Sequence, residues 1–118
     1  DMPPEPRDPR ETILAAGRGY LTFALSNEGL FNLMFGGTPR DHNDENLNQA
    51  ADDAYDVLRE ICAPIVKGEG GSQTNETMIW ALIHGLARLA LHTKRGSINA
   101  AQAFETWRLI LPPLEFET

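Results

Sequence analysis

Residues 74–93, TNETMIWALIHGLARLALHT, form the segment that decides the fold class. Apolar residues recur in it every three or four positions, which is the period of an α-helix. One apolar face comprises Met78, Ile79, Leu82, Ile83, Leu86, Leu89 and Ala90, and a second comprises Trp80, Ala87 and Leu91, with His84 between the two. A helix that is apolar on nearly all sides must be buried on more than one of them. We expect a second subunit to cover one side, since so short a chain has few helices of its own.

Helix signals also occur near the start of the chain. Asp8 suits an N-cap, Pro9 the first helical position and Glu11 the third position of a capping box. The apolar period that follows predicts a helix ending near Asn27, which can in turn cap a short helix over residues 28–35.

Two glycines, Gly17 and Gly19, lie inside the first predicted helix. Each costs about 1 kcal/mol relative to alanine in a helix interior. That cost is acceptable if another backbone packs closely there.

Two more helices are predicted besides these three. An amphipathic pattern predicts a helix over roughly residues 44–67, with Pro64 bending or ending its last turn. A last helix starts near Ser97 or Asn99, where Asn99 and Gln102 fit a capping box, and a Pro-Pro pair stops it. No segment shows the sustained polar–apolar alternation of a strand. The predicted fold class is therefore all-α, with about five helices.

The length and composition suit one domain. The chain has 118 residues and no apolar run of the roughly 18 residues that cross a bilayer. Residues 1–7 are polar and proline-rich and predict a linker stub, and residues 8–118 form the predicted domain. The N-terminus lacks the pattern of a signal peptide and Cys62 is the one cysteine, so we expect a cytoplasmic protein.

The net charge of −7 disfavours direct binding to nucleic acid. Phosphate contacts require clustered Lys and Arg, whereas the ten basic residues here are scattered among seventeen acidic ones. The densest basic pair, Lys94 and Arg95, follows a predicted helix end, where it is typical of a favourable interaction with the helix dipole. We expect these residues alone to bind DNA poorly.

The sequence contains no arrangement typical of catalysis or metal binding. His84 and His92 lie eight residues apart, with no carboxylate at i+3 or i+4 to complete a metal site. The acidic run at 41–45 lacks the glycine and distal glutamate of a calcium loop. The glycines at 68–71 follow no strand and precede no Gly-Lys-Ser/Thr, unlike a phosphate loop. We expect no enzyme activity, no metal and no cofactor.

Several side chains admit two interpretations. His84, followed by Gly85 in the apolar helix, is either a hydrogen-bonded core residue or a ligand-contacting or pH-sensitive group. The aromatic residues of the first three helices form either a filled core or the lining of a pocket. They are Tyr20, Phe23, Phe31, Phe35 and Tyr55.

Two segments resemble a known family. The sequence WALIHG at 80–85 is similar to the W-x-x-x-H-G signature of the WHG-type C-terminal domain of TetR transcriptional regulators. A second block agrees with that family, namely an aromatic-rich helix end at 20–24 followed by LFNLMF at 30–35. The resemblance covers roughly residues 8–111.

The resemblance implies an all-α homodimer in which the last two long helices of each subunit pack into a four-helix bundle. It also implies an apolar pocket, enclosed by the earlier helices, for a small effector. A separate N-terminal helix-turn-helix domain reads the operator in such regulators, and the effector shifts which subunit arrangement is populated. Only a short stub precedes Asp8, so we expect operator DNA as a partner only through an N-terminal domain missing from these residues, and no membrane partner.

These expectations name two sets of residues. The predicted effector contacts are Tyr20, Phe23, Phe35, Tyr55 and His84. The predicted dimer contacts are Trp80, Gly85, Arg88, Phe104, Trp107 and Leu111. One alternative is a stand-alone homodimeric helical module that binds neither ligand nor DNA. Another is a small helical enzyme with titrating groups gathered around His84 and His92.

Overall fold

A computed structural model describes residues 8–35, 45–92 and 99–117, apart from the side chains of Leu47 and Ala100. The helices in these ranges are α1 (Pro9–Ser26), α2 (Glu28–Phe35), α3 (Glu45–Cys62), α4 (Gly71–Leu91) and α5 (Ala100–Ile110). The described residues contain one isolated antiparallel bridge, between Ile65 and Phe116, and no strand. The predicted all-α class with about five helices is confirmed. None of the described helices is long and apolar enough to cross a membrane.

Three predictions fall outside these ranges. The linker stub at 1–7, the acidic run at 41–44 and the basic pair Lys94-Arg95 all lie in parts of the chain that the structure does not describe. The same holds for the predicted helix end at Thr93 and for Ser97.

Side-chain caps define the starts of α1 and α5. The Asp8 carboxylate accepts a hydrogen bond of 3.1 Å from the backbone N–H of Arg10, and Pro9 occupies the first helical position. At α5, Asn99 and Gln102 form a reciprocal capping box, with hydrogen bonds of 2.8 and 3.0 Å. Both predicted helix starts are confirmed. Each cap satisfies backbone donors that lack a partner in the first turn of the helix.

The third helix is shorter than predicted. It ends at Cys62 rather than near residue 67, since Pro64 has no N–H with which to continue the helix. The residues that follow pair with the C-terminal segment instead. The Val66 N–H donates to the Glu115 carbonyl at 2.9 Å, and the Glu117 N–H donates to the Pro64 carbonyl at 2.8 Å. This pairing holds the end of α3 close to the segment after α5.

The central helix is α4, which packs against α1, α3 and α5. It starts at Gly71, before the predicted residue 74, and Gly70 precedes it with a φ of 87°, which glycine tolerates. The prediction that α4 is buried on more than one side is confirmed. The helices that bury it belong to the same protomer, whereas we expected a second subunit to cover one side. Within residues 77–89 the exposed positions are Thr77, Ala81, Gly85 and Leu89, hereafter the α4 strip.

Helix α5 packs against α1 through Trp107. The indole is 1 % exposed, and its Nε1–H donates to the Leu14 carbonyl at 3.1 Å. The ring lies so close to Gly17 that no Cβ would fit there, whereas Gly19 has no neighbour within 4 Å of the Cβ position. A close neighbour therefore lies at Gly17, where it is a side chain and not a backbone, and none lies at the Cβ position of Gly19.

The start of α1 is also bound to the end of α5. The Arg10 guanidinium donates to the carbonyls of Pro112 and Leu111, at 2.8 and 3.0 Å. These carbonyls lie at the negative end of the α5 dipole, where a cation is favoured. Helices α1 and α5 are thus joined at two points, by Arg10 at one end and by Trp107 further along.

Substituting the two α1 glycines separately tests the Trp107 contact. Gly17→Ala should lower the free energy of unfolding by about 1–3 kcal/mol, because the added methyl group overlaps the indole. Gly19→Ala should raise it by roughly 0.5–1 kcal/mol, because the position is open and alanine favours helix. Urea denaturation followed by circular dichroism measures both values, and equal effects would contradict this packing.

Candidate ligand-binding site

A groove lies between α1, α3, α4 and α5. Its empty volume is about 410 Å³, a figure that includes the open solvent at its mouth. The residues that line it are Ile13, Ala16, Gly17, Tyr20, Ala54, Val57, Leu58, Ile61, Ile79, Trp80, Ile83 and Trp107. None of them carries a charge, so the groove suits an apolar molecule.

The surface that the lining presents to the groove is almost wholly apolar, and two of the polar side-chain groups among the lining residues have partners. The Tyr20 hydroxyl lies 2.8 Å from Nδ1 of His84, and the Trp107 Nε1–H is bound to the Leu14 carbonyl. Both hydrogen bonds satisfy groups that would be costly to bury alone. The interior surface of the groove therefore behaves as hydrocarbon and aromatic surface.

An aromatic cluster lies behind Tyr20, with His84 at its centre. The imidazole is stacked between Trp80 and Phe31, at centroid distances of 5.2 and 5.5 Å and interplanar angles of 15° and 27°. Phe35 packs edge-on to the same imidazole at 5.6 Å. The cluster joins α1, α2 and α4. A movement of Tyr20 would therefore shift α2.

Burial keeps both members of the Tyr20–His84 pair uncharged. Desolvation, with a smaller contribution from the Arg88 charge, lowers the pKa of His84 below its ordinary value. Desolvation also raises the pKa of Tyr20 well above its ordinary value, and Arg88 offsets only part of that effect. Because both groups are uncharged, a single proton lies between the Tyr20 hydroxyl oxygen and Nδ1 of His84, and the tautomer of His84 decides which of the two donates.

Arg88 fastens α2 to α4. Its guanidinium donates to the Asn32 side-chain oxygen at 2.8 Å and to the Phe35 carbonyl at 2.6 Å, and lies 5.0 Å from the centroid of the Phe31 ring. The Phe35 carbonyl is at the C-terminal end of α2, where positive charge is favoured. Arg88 thus has a structural role inside the protomer.

A buried acid that the sequence pattern did not reveal joins α3 to α4. Glu76 is 8 % exposed and accepts a hydrogen bond of 2.9 Å from the Tyr55 hydroxyl. This hydrogen bond is the main reason that the pKa of Tyr55 is raised. The Arg59 guanidinium covers the Tyr55 ring at 4.7 Å from its centroid. Tyr55 is therefore a link between helices and does not line the groove.

The predicted effector contacts occupy four different places, one of which is the Tyr55 link between α3 and α4. Tyr20 lines the groove, as do residues of α3 and α5 that the prediction omitted, notably Val57 and Trp107. Phe35 and His84 belong to the cluster behind Tyr20. Phe23 lies against Phe31, with ring centroids 6.4 Å apart.

The predicted dimer contacts need correction at two positions. Trp107 and Leu111 are only 1 % and 3 % exposed in the protomer, so neither has surface to offer a partner. Their apolar spacing marks the face of α5 that packs on its own α1 and α4.

The other four predicted dimer contacts differ in exposure. Trp80 is half-buried in the aromatic cluster and the groove. Phe104 and Arg88 are also half-buried. Gly85 is exposed, with nothing within 4 Å of its Cβ position.

The described ranges contain no group of three or more His, Cys, Asp or Glu side chains that could hold a metal ion. Cys62 is buried, and desolvation raises the pKa of its thiol to about 11. A thiol with such a pKa stays protonated at neutral pH and is a poor nucleophile.

His84 should make the protein less stable at mildly acidic pH. Its folded-state pKa lies below the ordinary value of 6.5, so the unfolded chain binds the proton more readily. The charged and titratable groups that face it are Tyr20 and Arg88, and α2 contributes only phenyl rings. The stability contributed by the neutral imidazole is complete above about pH 6.5 and decreases as the pH falls through that value toward the folded-state pKa.

Urea unfolding of the wild type and of His84→Gln, at about pH 7.5 and 5.5, measures this effect. The wild type should lose more stability on acidification than the variant, since the variant lacks the imidazole. The same pH dependence in both proteins would contradict the assignment.

One comparison with known proteins gives a match. A family model described as tetracyclin repressor-like, C-terminal domain, matches residues 13–111, from α1 to the C-cap of α5 at Leu111. Searches of curated proteins and of solved structures gave no significant match. The match covers most of the chain and all five described helices, and it confirms the resemblance noted at 80–85. The chain therefore belongs to the tetracyclin repressor-like C-terminal domain family.

Proposed function

We propose that this domain is the effector-binding and dimerisation part of a TetR-type transcriptional regulator. A small apolar molecule binds in the groove, and its binding shifts the DNA affinity of the parent protein. The observation that carries the proposal is the uncharged groove between four helices in a domain of this family. The parent protein reads DNA through a separate N-terminal domain and works in the cytoplasm.

The structure offers a physical route from the groove to the start of the chain. Trp107 lines the groove and is hydrogen-bonded to Leu14 in the first half of α1. Arg10, one turn earlier, is bound to the end of α5. A ligand that displaces the indole therefore acts on the first turns of α1, from which the DNA-reading domain would extend. A ligand that prefers one position of α1 shifts the population of subunit arrangements toward it.

We propose that the dimer interface is centred on the α4 strip. Its members at the middle, Ala81 and Gly85, are small and exposed, so a second helix can approach the backbone closely. Helix α5 adds two exposed apolar side chains, Leu109 and Ile110, at 65 % and 38 % exposure. Burial of such side chains between subunits stabilises association through the hydrophobic effect. Two copies of α4 and α5 would complete a four-helix bundle.

A negative charge in the α4 strip tests the dimer. Gly85→Glu and Ala81→Glu should each raise the dimer Kd by roughly 30-fold or more, because an unpaired charge buried between subunits costs about 2 kcal/mol at least. Sedimentation equilibrium measures the Kd, and circular dichroism confirms that each protomer remains helical.

Ala63→Glu is the matched control, since Ala63 is exposed just after α3 and away from the strip. It should leave the dimer Kd unchanged. Dimers of unchanged affinity in both strip variants would contradict the proposed interface, and a monomeric wild type would contradict the dimerisation role.

A further inference from the structure

The walls of the groove restrict the chemistry of what it can bind. We infer that the effector of this domain is an uncharged, flat aromatic molecule with no strong hydrogen-bonding group, and that the groove excludes carboxylates and amines of the same size. This inference rests on the proposed effector role and extends it by naming the ligand class.

The first restriction comes from charge. The groove lining contains no Asp, Glu, Lys, Arg or His. The charged groups on α3 and α4 near the aromatic residues are engaged elsewhere, since Glu76 accepts from Tyr55 and Arg88 donates to α2. A carboxylate or an ammonium group entering the groove would lose its hydration and gain no counter-charge, which is strongly unfavourable.

The second restriction comes from hydrogen bonding. The Tyr20 hydroxyl is bound to His84 and the Trp107 Nε1–H to Leu14. The lining presents almost wholly apolar surface to the groove. A polar ligand group that reached the Tyr20 or Trp107 group would have to break its hydrogen bond, and the displaced partner would then be left buried without a replacement. A ligand that brings no donor or acceptor avoids this cost.

The third restriction comes from the shape and the rings of the lining. Small residues line the groove on two helices, Ala16 on α1 and Ala54 on α3, whereas the space beside Gly17 is filled by the Trp107 indole. Rings from three helices border the same space, namely Tyr20, Trp80 and Trp107. Aromatic ligands gain edge-to-face or offset-stacked contacts with such rings beyond the burial of their area. A flat aromatic ligand therefore makes more favourable contacts with the lining than an aliphatic chain does.

Three probes that share one ring system test whether the groove prefers an uncharged ligand over an anionic or a cationic one. Naphthalene, 1-naphthoate and 1-naphthylmethylamine are titrated into the whole chain and followed by NMR of the backbone amides and of the two indole N–H groups. Naphthalene should shift the Trp107 indole signal, and the two charged probes should bind at least about tenfold more weakly.

Two substitutions show whether the probe occupies this groove. Ala54→Leu fills the space from α3 and should weaken naphthalene binding at least about tenfold. Ala63→Leu is the control, since it adds the same bulk at an exposed position just after α3 and should leave binding unchanged. Circular dichroism shows whether both variants fold, and Ala16→Leu on α1 fills the groove from the other side if Ala54→Leu does not.

The outcomes distinguish this inference from the proposed function. Tighter or equal binding of 1-naphthoate or 1-naphthylmethylamine would overturn the ligand class and leave the effector role intact. Naphthalene binding that neither filling substitution weakens would also overturn it, because the probe would lie elsewhere. Failure of all three probes to bind would overturn the ligand class and contradict the effector role as well.

Discussion

The contact between the Trp107 indole and the backbone of α1 is the constraint on which the rest of the structure depends. The ring lies where Gly17 has no side chain, and its N–H is bound to the Leu14 carbonyl. This contact brings α5 close to α1, and the Arg10 hydrogen bonds hold the end of α5 beside the start of α1. Trp107 also forms part of the groove wall, so the same indole supports the core and borders the space available to a ligand.

A second feature follows from the aromatic interior. The polar groups that enter it are satisfied in pairs, Tyr20 with His84 and Tyr55 with Glu76. Each pair joins two helices, α1 with α4 and α3 with α4. Pairing avoids the cost of an unsatisfied buried group, and the groove surface is almost wholly apolar. The chemistry of the groove is thus a consequence of how the core is held together.

The external surface of α4 differs from the aromatic interior. The residues that point away from the core at the middle of the helix are small, with Ala81 and Gly85 at its centre. The large apolar residues of α5 that looked equally suited to a partner, Trp107 and Leu111, are needed inside the protomer. A helix in a small domain packs one face on the core, and the largest side chains of α5 lie on that face. Association between subunits would then rely on close backbone approach more than on large side chains.

Local signals in the sequence were sufficient for the presence of the helices and for the capped starts of α1 and α5, but not for the end of α3 or the start of α4. The period of residues 74–93, the Asp8 cap and the Asn99–Gln102 capping box each act within a few residues, so they could be recognised without knowledge of the fold. Pro64 marked the end of α3, which stops at Cys62 because proline has no N–H to continue the helix, and the residues that follow pair with the C-terminal segment.

The neighbours of each apolar face were decided only by the tertiary structure. Sequence spacing shows that Trp107 lies on an apolar face, but not whether α1 or a second subunit covers that face. It also does not show that Glu76 is buried against Tyr55, because a carboxylate on a helix is usually solvated and its partner here comes from another helix. Helical periodicity is a property of neighbouring residues, whereas packing joins residues far apart in the chain. The sequence by itself therefore determined the helices and the family, and the tertiary structure decided the groove and its polar pairs.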